Sequence, residues 1–322
     1  MTRRDAWYEH DERGSASAVR AGAWLYRRFG QRMARVLVVP IVAYFYATGS
    51  AARRASLDYL RRVYQNPDGA RVLAGPPRQR HVFLHFLAFG TSIVDRMGFW
   101  LGTRSDYALA VTGEDHLDRV ARDGRGALVL GSHLGSFDAM RLLATGSRVT
   151  VNILMYTQHA ARINALFDRL GALARESLTR VRVIPVRTDS FDHVLAARAC
   201  VERGEVVAIL ADRSPPSGVQ RDCSVAFLGG RAAIPQGPFR LAAALACPVL
   251  FMVALRTGDR AYSIDVELLS DRIELPRKGR EQALASYCQR YADRLARHCL
   301  RAPYQWFNFY DFFRDGVETP RE

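Results

Sequence analysis

His133 and Asp138 are the residues whose types and spacing best fit chemistry, because a histidine held by a carboxylate can act as a general base. They stand in Gly131-Ser-His-Leu-Gly-Ser-Phe-Asp138, between an apolar strand-like run at 127–130 and a helix predicted to follow an N-cap at Ser136. On one helix the two would lie on different faces, but across a strand–loop–helix corner they can meet. The pattern therefore favours an acyl transfer with His133 as the base, Asp138 as its partner and nearby helix-start amides for the oxyanion, although a histidine that is only hydrogen-bonded in a turn would show the same spacing.

Ser132 offers a different chemistry, since Gly131-Ser-His-Leu-Gly135 looks like the nucleophile elbow of a hydrolase. That motif needs serine in its third position, which His133 occupies. A lipid hydrolase thus stays an alternative, disfavoured by the register. Ser132 and Gly135 are instead predicted to shape the substrate-binding turn.

Asp212 and Arg213 form a second candidate cluster, at the end of an apolar strand predicted over 205–212 and before a Pro/Gly loop. Arginine could hold a phosphate or the phosphopantetheine of a carrier, and aspartate could orient it. An ordinary loop salt bridge explains the same pair equally well.

A third segment, 225–240, combines glycines with apolar side chains and could accommodate an acyl chain or a pantetheine arm. Its predicted binding residues are Phe227, Gly229 and Gly237, although an ordinary hairpin and helix start would give the same pattern. Arg162 and Asn164, which open a predicted helix, could bind a polar head group or could simply be solvated surface.

The elements that position these residues alternate between short apolar strands and helices of 10–15 residues. This alternation predicts an α/β fold with a central mixed, largely parallel sheet flanked by helices. Sites in such sheets lie beyond the carboxyl ends of the strands, where His133 and Asp212 both fall.

The N-terminal third is predicted to be helical and to contact a membrane. A basic, aromatic segment at 24–35 precedes an apolar run, and 17 uncharged residues separate Arg35 from Arg53. That length is the lower limit for a span, so an interfacial or shallowly inserted helix is favoured over a single N-terminal anchor. A buried core helix preceded by an exposed basic helix would give the same pattern. The expected organisation is a disordered tail (1–18), a helical membrane-associating region (19–105) and an α/β domain (106–322).

Composition limits the partners. The net charge of +14 suits an anionic membrane surface, an acidic carrier protein or nucleic acid. No nucleic-acid-binding motif occurs, so nucleic acid is not an expected partner. The five cysteines are scattered without Cys-x-x-Cys, which indicates a reducing compartment with neither disulfide framework nor metal site.

The combination of segments resembles the bacterial lipid A biosynthesis (late) acyltransferase family, within the lysophospholipid acyltransferase-like superfamily. The resemblance rests on His133 to Asp138, on 204–213, on Phe227-Leu-Gly229, on Ile234-Pro-Gln-Gly-Pro238 and on Pro303-Tyr-Gln-Trp-Phe-Asn308. It implies an enzyme at the cytoplasmic face of the bacterial inner membrane. Such an enzyme moves an acyl group from an acyl-carrier protein or coenzyme A thioester, without another cofactor, to a glycolipid hydroxyl.

One residue departs from the family pattern. Lipid A enzymes usually carry Glu where Asp138 stands, and the turn is similar to a branch associated with aryl polyene pigment clusters. The resemblance therefore implies as acceptor a glycolipid or a related membrane lipid, with lipid A itself not singled out. A non-catalytic adaptor that binds membrane or carrier protein is the remaining alternative, and it would be indifferent to His133.

Overall fold

The computed structural model describes residues 16–101, 106–140, 150–156, 181–187, 190–214 and 221–313. A seven-stranded sheet in the order β1-β9-β8-β2-β5-β3-β4 forms its centre. Neighbouring strands are parallel except β8 and β9. This arrangement, with helices around it, confirms the predicted α/β fold. The strands are β1 (Ala108–Thr112), β2 (Ala127–Gly131), β3 (Val151–Tyr156), β4 (Val181–Val186), β5 (Val206–Leu210), β8 (Val249–Gly258) and β9 (Ala261–Ser270).

Strand β2 lies in the middle of the sheet and every one of its residues is buried. Leu128 and Leu130 belong to one apolar cluster, whereas Ala127 and Val129 belong to another. Because side chains alternate across a strand, the two clusters cover opposite faces of the sheet. A strand covered on both faces reads as a continuous apolar run, which is how β2 stands out in the sequence.

Helices surround the sheet, and a separate antiparallel hairpin lies outside it. The helices are α1 (Ala16–Thr48), α2 (Ser50–Gln65), α3 (Pro67–Leu73), α4 (Gln79–Leu101), α5 (Glu114–Asp123), α6 (Asp192–Glu202), α7 (Gly237–Leu245) and α8 (Arg280–Arg301). The hairpin pairs β6 (Asp222–Phe227) with β7 (Gly230–Pro235). The segment 225–240 is thus a hairpin followed by a helix start, and its predicted role in binding an acyl chain or a pantetheine arm stays a prediction.

The N-terminal helices pack closely on one another. Helix α1 is interrupted at Gly30, whose φ of 76° is not helical. Farther along, a Cβ at Gly90 would lie 2.4 Å from a methyl carbon of Val42, so this glycine lets α1 and α4 approach. Within the described residues, Gln79–Phe99 is the one helix long and apolar enough to cross a membrane, and half of its most apolar stretch is buried. Helical segments Gly30–Thr48 and Ser50–Gln65 pass the same test together, but they meet at a 94° bend.

A buried carboxylate fastens α1 to the sheet. Asp95 of α4 accepts hydrogen bonds from Gln31 Nε2 at 2.9 Å, from Arg35 and from the Tyr262 hydroxyl at 2.7 Å. Arg35 also pairs with Asp259 beyond the tip of β8. Asp95 and Arg35 are both largely buried, so removing either one would leave the charge of the other buried without a partner.

Candidate active site

The site lies where β2 and β5 end side by side. The two strands are parallel and in register, with Gly131 opposite Leu210. Beyond them the backbones stay paired, since the amide of Ala211 donates to the carbonyl of Gly131 at 3.0 Å. The residues that follow each strand, His133 and Asp212, therefore meet at the carboxyl edge of the sheet.

Asp212 holds His133 by two hydrogen bonds. Its Oδ1 lies 2.8 Å from His133 Nδ1, and its Oδ2 accepts from the backbone N–H of His133 at 2.9 Å. A carboxylate can only accept here, so Nδ1 carries the proton and Nε2 carries the lone pair. Asp212 is buried, while 31% of the His133 side chain is exposed. The arrangement is a histidine with a fixed tautomer and an accessible ring.

The structure corrects the predicted partner of His133. Asp138 accepts at Oδ2 a 2.8 Å hydrogen bond from Nε of Arg96 on α4, and the carboxylate on the His133 ring is that of Asp212. The reason is geometric, because the loop turns the imidazole toward the adjacent strand β5. The first helical turn carries Asp138 toward α4. The catalytic role predicted for Asp138 stays a prediction.

Opposing effects set the protonation of the pair. Burial and the charge of Arg213 lower the pKa of His133 below its usual value, although the charge and hydrogen bond of Asp212 act in the other direction. Burial raises the pKa of Asp212, but the charge and hydrogen bonds of His133, with the charge of Arg213, hold it well below its usual range. Near pH 7 the pair is a neutral imidazole on an ionised carboxylate.

Gly135 lets the loop press against β8. Its φ is +75°, and a Cβ there would lie 2.0 Å from the carbonyl oxygen of Ala254. The amide of Ser136 donates to that same carbonyl, and the Ser136 hydroxyl accepts from the Ala139 amide at 3.2 Å, which confirms Ser136 as an N-cap.

Ser132 is buried, with its Oγ accepting from the Leu134 amide at 3.3 Å. This hydroxyl stabilises the turn.

A segment far along the chain completes the loop. Trp306 is fully buried, and its Nε1–H donates to Oδ2 of Asp212 at 3.2 Å. The carbonyl of Gln305 accepts from the Gly135 amide at 2.8 Å, and the amide of Phe307 donates to the His133 carbonyl at 3.0 Å. The sequence resemblance marks the segment 303–308, but nothing in its spacing along the chain indicates contact with the loop 131–136.

The remaining predicted binding residues are dispersed. Arg213 donates to the carbonyl of Phe307, and its guanidinium lies over the Tyr310 ring, 5.4 Å from the centroid. The Phe227 ring is buried and packs 5.3 Å from that of Trp306.

Gly229, with φ +76°, forms the hairpin turn. Gly237 begins α7, and a Cβ there would meet no atom within 4 Å. Arg162 and Asn164 lie outside the described residues, so their predicted roles are untested.

A family model described as bacterial lipid A biosynthesis acyltransferase matches residues 86–315. That match spans more than two thirds of the 322 residues and includes most of α4, the loop 131–136, Asp212 and the Trp306 segment. A search of curated protein sequences returned no match. In the described part of the chain, no group of three or more His, Cys, Asp or Glu residues is arranged to hold a metal ion.

Proposed function

The chain belongs to the bacterial lipid A biosynthesis acyltransferase family, and we propose that it transfers an acyl group from a thioester to a hydroxyl of a glycolipid or related membrane lipid. The donor is acyl-carrier protein or coenzyme A. His133 is the general base. The observation that carries this assignment is the double hydrogen bond of Asp212 to His133, which fixes the imidazole in the tautomer a base needs.

In the proposed reaction, Nε2 of His133 takes the proton of the acceptor hydroxyl as its oxygen attacks the thioester carbonyl. Asp212 stabilises the imidazolium that forms. When the tetrahedral intermediate collapses, the carbon–sulfur bond breaks and the imidazolium returns the proton to the leaving thiolate. The products are an ester and a free thiol, and the histidine is neutral again.

Two arginines supply positive charge to the proposed site. Arg213 and Arg96 both act electrostatically on His133, and Asp138 holds Arg96 through a 2.8 Å hydrogen bond. The Arg96 side chain is half exposed, so its charge is accessible to an anionic group on either substrate. Asp138 would then act by orienting Arg96, a role that differs from the one its spacing to His133 suggests.

We propose that α1 and α4 bring the chain to the cytoplasmic face of the inner membrane. Family membership supports membrane association. Val36, Ile41 and Tyr44 on α1 are more than half exposed, and Leu84, Phe89 and Ile93 on the adjacent α4 are also exposed. Apolar side chains in such number on two neighbouring helices suit the boundary between head groups and acyl chains.

The experiment is to incubate the purified full-length chain with an acyl-carrier protein bearing a labelled fatty acyl group and with bacterial membrane lipid extract. Mass spectrometry would identify the acylated lipid and distinguish lipid A precursors from other acceptors. His133→Ala should abolish transfer while circular dichroism stays unchanged. Full activity of that variant would exclude the proposed base, and binding without turnover by the unaltered chain would favour an adaptor.

A further inference from the structure

Trp306 lies directly behind the His133–Asp212 pair. Its indole N–H donates to Oδ2 of Asp212 at 3.2 Å, and Oδ2 also accepts the His133 amide at 2.9 Å. Oδ1 is left to the imidazole at 2.8 Å. With donors on both oxygens, the carboxylate cannot rotate without breaking a hydrogen bond, and a buried carboxylate loses free energy for each donor that it gives up.

The backbone around Trp306 pairs with the catalytic loop. Trp306 forms an isolated antiparallel bridge with Leu134, between the hydrogen bonds that join Gln305 to Gly135 and Phe307 to His133. The Gln305 side chain in turn binds both the amide and the carbonyl of Arg256, at 2.8 and 2.9 Å. The segment 305–307 is therefore a short strand that supports the loop from its far side.

Trp306 is itself immobilised. Its carbonyl accepts from Nε2 of His85 on α4 at 2.8 Å, and His85 Nδ1 accepts from the Ser56 hydroxyl at 2.8 Å. Burial lowers the pKa of His85 to about 4, so the ring is neutral near pH 7, and with Nε2–H donating to the carbonyl its Nδ1 is the acceptor for Ser56. The indole also packs edge-on against Tyr59 and Phe312 at 5.0 and 4.8 Å. A rotamer fixed on every side can position a partner precisely.

We propose that Trp306 is a positioning residue for catalysis: its indole N–H fixes the Asp212 carboxylate, and Asp212 in turn fixes the His133 base. This inference rests on the proposed function, because it assigns a role at the same site. It goes beyond it by making the closing aromatic segment part of the catalytic machinery.

The test uses Trp306→Phe in the full-length chain, assayed with labelled acyl-carrier protein and lipid extract. This change keeps an aromatic ring and removes the donor to Asp212. We expect kcat to fall about 10-fold, because the hydrogen bond that fixes Asp212 is lost. The KM for the donor should change by less than about twofold, because no contact with substrate is removed. The acid limb of the pH profile of kcat should move to higher pH. A carboxylate with one donor fewer stabilises the imidazolium more strongly and so raises the pKa of His133.

Two further measurements distinguish positioning from general destabilisation. Tyr262→Phe removes a hydroxyl from another buried carboxylate, Asp95, which does not bond to His133, so kcat and the pH profile should be unchanged. In an Asp212→Asn background, Trp306→Phe should lower kcat little further, because both changes act through the same carboxylate. If Trp306→Phe fails to fold, 3-benzothienylalanine at position 306 replaces the N–H by sulfur at nearly constant shape.

The outcomes separate the two proposals. Normal kcat and an unmoved acid limb in a folded variant at position 306, with His133→Ala inactive, would overturn the positioning role and leave the proposed function intact. An active His133→Ala variant would overturn the proposed function and this role together.

Discussion

At the scale of single residues, the site depends on one carboxylate with three donors. Asp212 accepts from the amide and the ring of His133 and from the indole of Trp306. Asp138, five positions from His133, bonds instead to Arg96. The two aspartates therefore have different partners, and in the proposed function Asp212 acts on the base while Asp138 acts on a half-exposed arginine.

Replacing each aspartate by asparagine should distinguish these tasks. We expect Asp212→Asn to lower kcat by about 100-fold or more, because the amide neither fixes the productive tautomer nor stabilises imidazolium. Asp138→Asn should act mainly on KM, since it loosens Arg96. Steady-state kinetics with varied acyl donor would measure both, and a larger kcat loss in Asp138→Asn than in Asp212→Asn would contradict the assignment.

At the scale of elements, the loop 131–136 owes its position to contact with Ala254 of β8. We expect Gly135→Ala to abolish most activity and to destabilise the fold by about 1–3 kcal/mol, because its Cβ would overlap the Ala254 carbonyl and its φ is positive. Assays and thermal unfolding would measure both effects. Gly258→Ala, in the same strand, is the matched control, since its Cβ would meet only the Ala261 Cβ at 3.4 Å.

The helices α1 and α4 give a second prediction at this scale. Ile41→Glu should lower the partition onto anionic phospholipid vesicles by about 10-fold or more, because it replaces an exposed apolar side chain with a charge of the same sign as the lipid. Vesicle flotation would measure it. Leu195→Glu changes a somewhat more exposed apolar residue, on α6, and serves as the control. Equal losses in both variants would argue against α1 as the membrane contact.

Sequence patterns predicted these elements well and their contacts poorly. The buried run of β2, the Gly-Ser-His-Leu-Gly loop and the N-cap Ser136 are local features, so propensity and spacing reveal them. Asp212 is 79 residues from His133 and reaches it because β5 lies beside β2, which depends on strand order. Asp138 was favoured as the partner because its distance along the chain is short.

At the scale of the whole molecule, the buried ring of His85 makes the free energy of unfolding depend on pH. The ring is fully buried, with a pKa of about 4 in the folded state against about 6.5 when unfolded. The unfolded chain binds this proton more tightly than the folded chain. The contribution of His85 to the free energy of unfolding is therefore complete above pH 6.5 and is lost as the pH falls toward 4.

Between pH 7 and pH 5 this one group should lower the free energy of unfolding by about 2 kcal/mol. Urea unfolding at both pH values would measure the loss. His85→Gln keeps an amide that can bond to Ser56 and Trp306 but does not titrate, so its pH dependence should be smaller by that amount. Equal pH dependence in the two proteins would show that His85 is charged, or not buried, in the folded state.

Because residues 305–307 pair with the loop 131–136, they also determine when during translation the His133–Asp212 pair can be completed. Gln305 comes 170 positions after Gly135, and after every strand of the described sheet. A growing chain thus exposes the apolar surfaces of α1 and α4 long before the ribosome has made the segment that steadies Asp212. Such a chain presents apolar surface that suits lipid early, whereas Asp212 gains its indole donor only after residue 306 has been made.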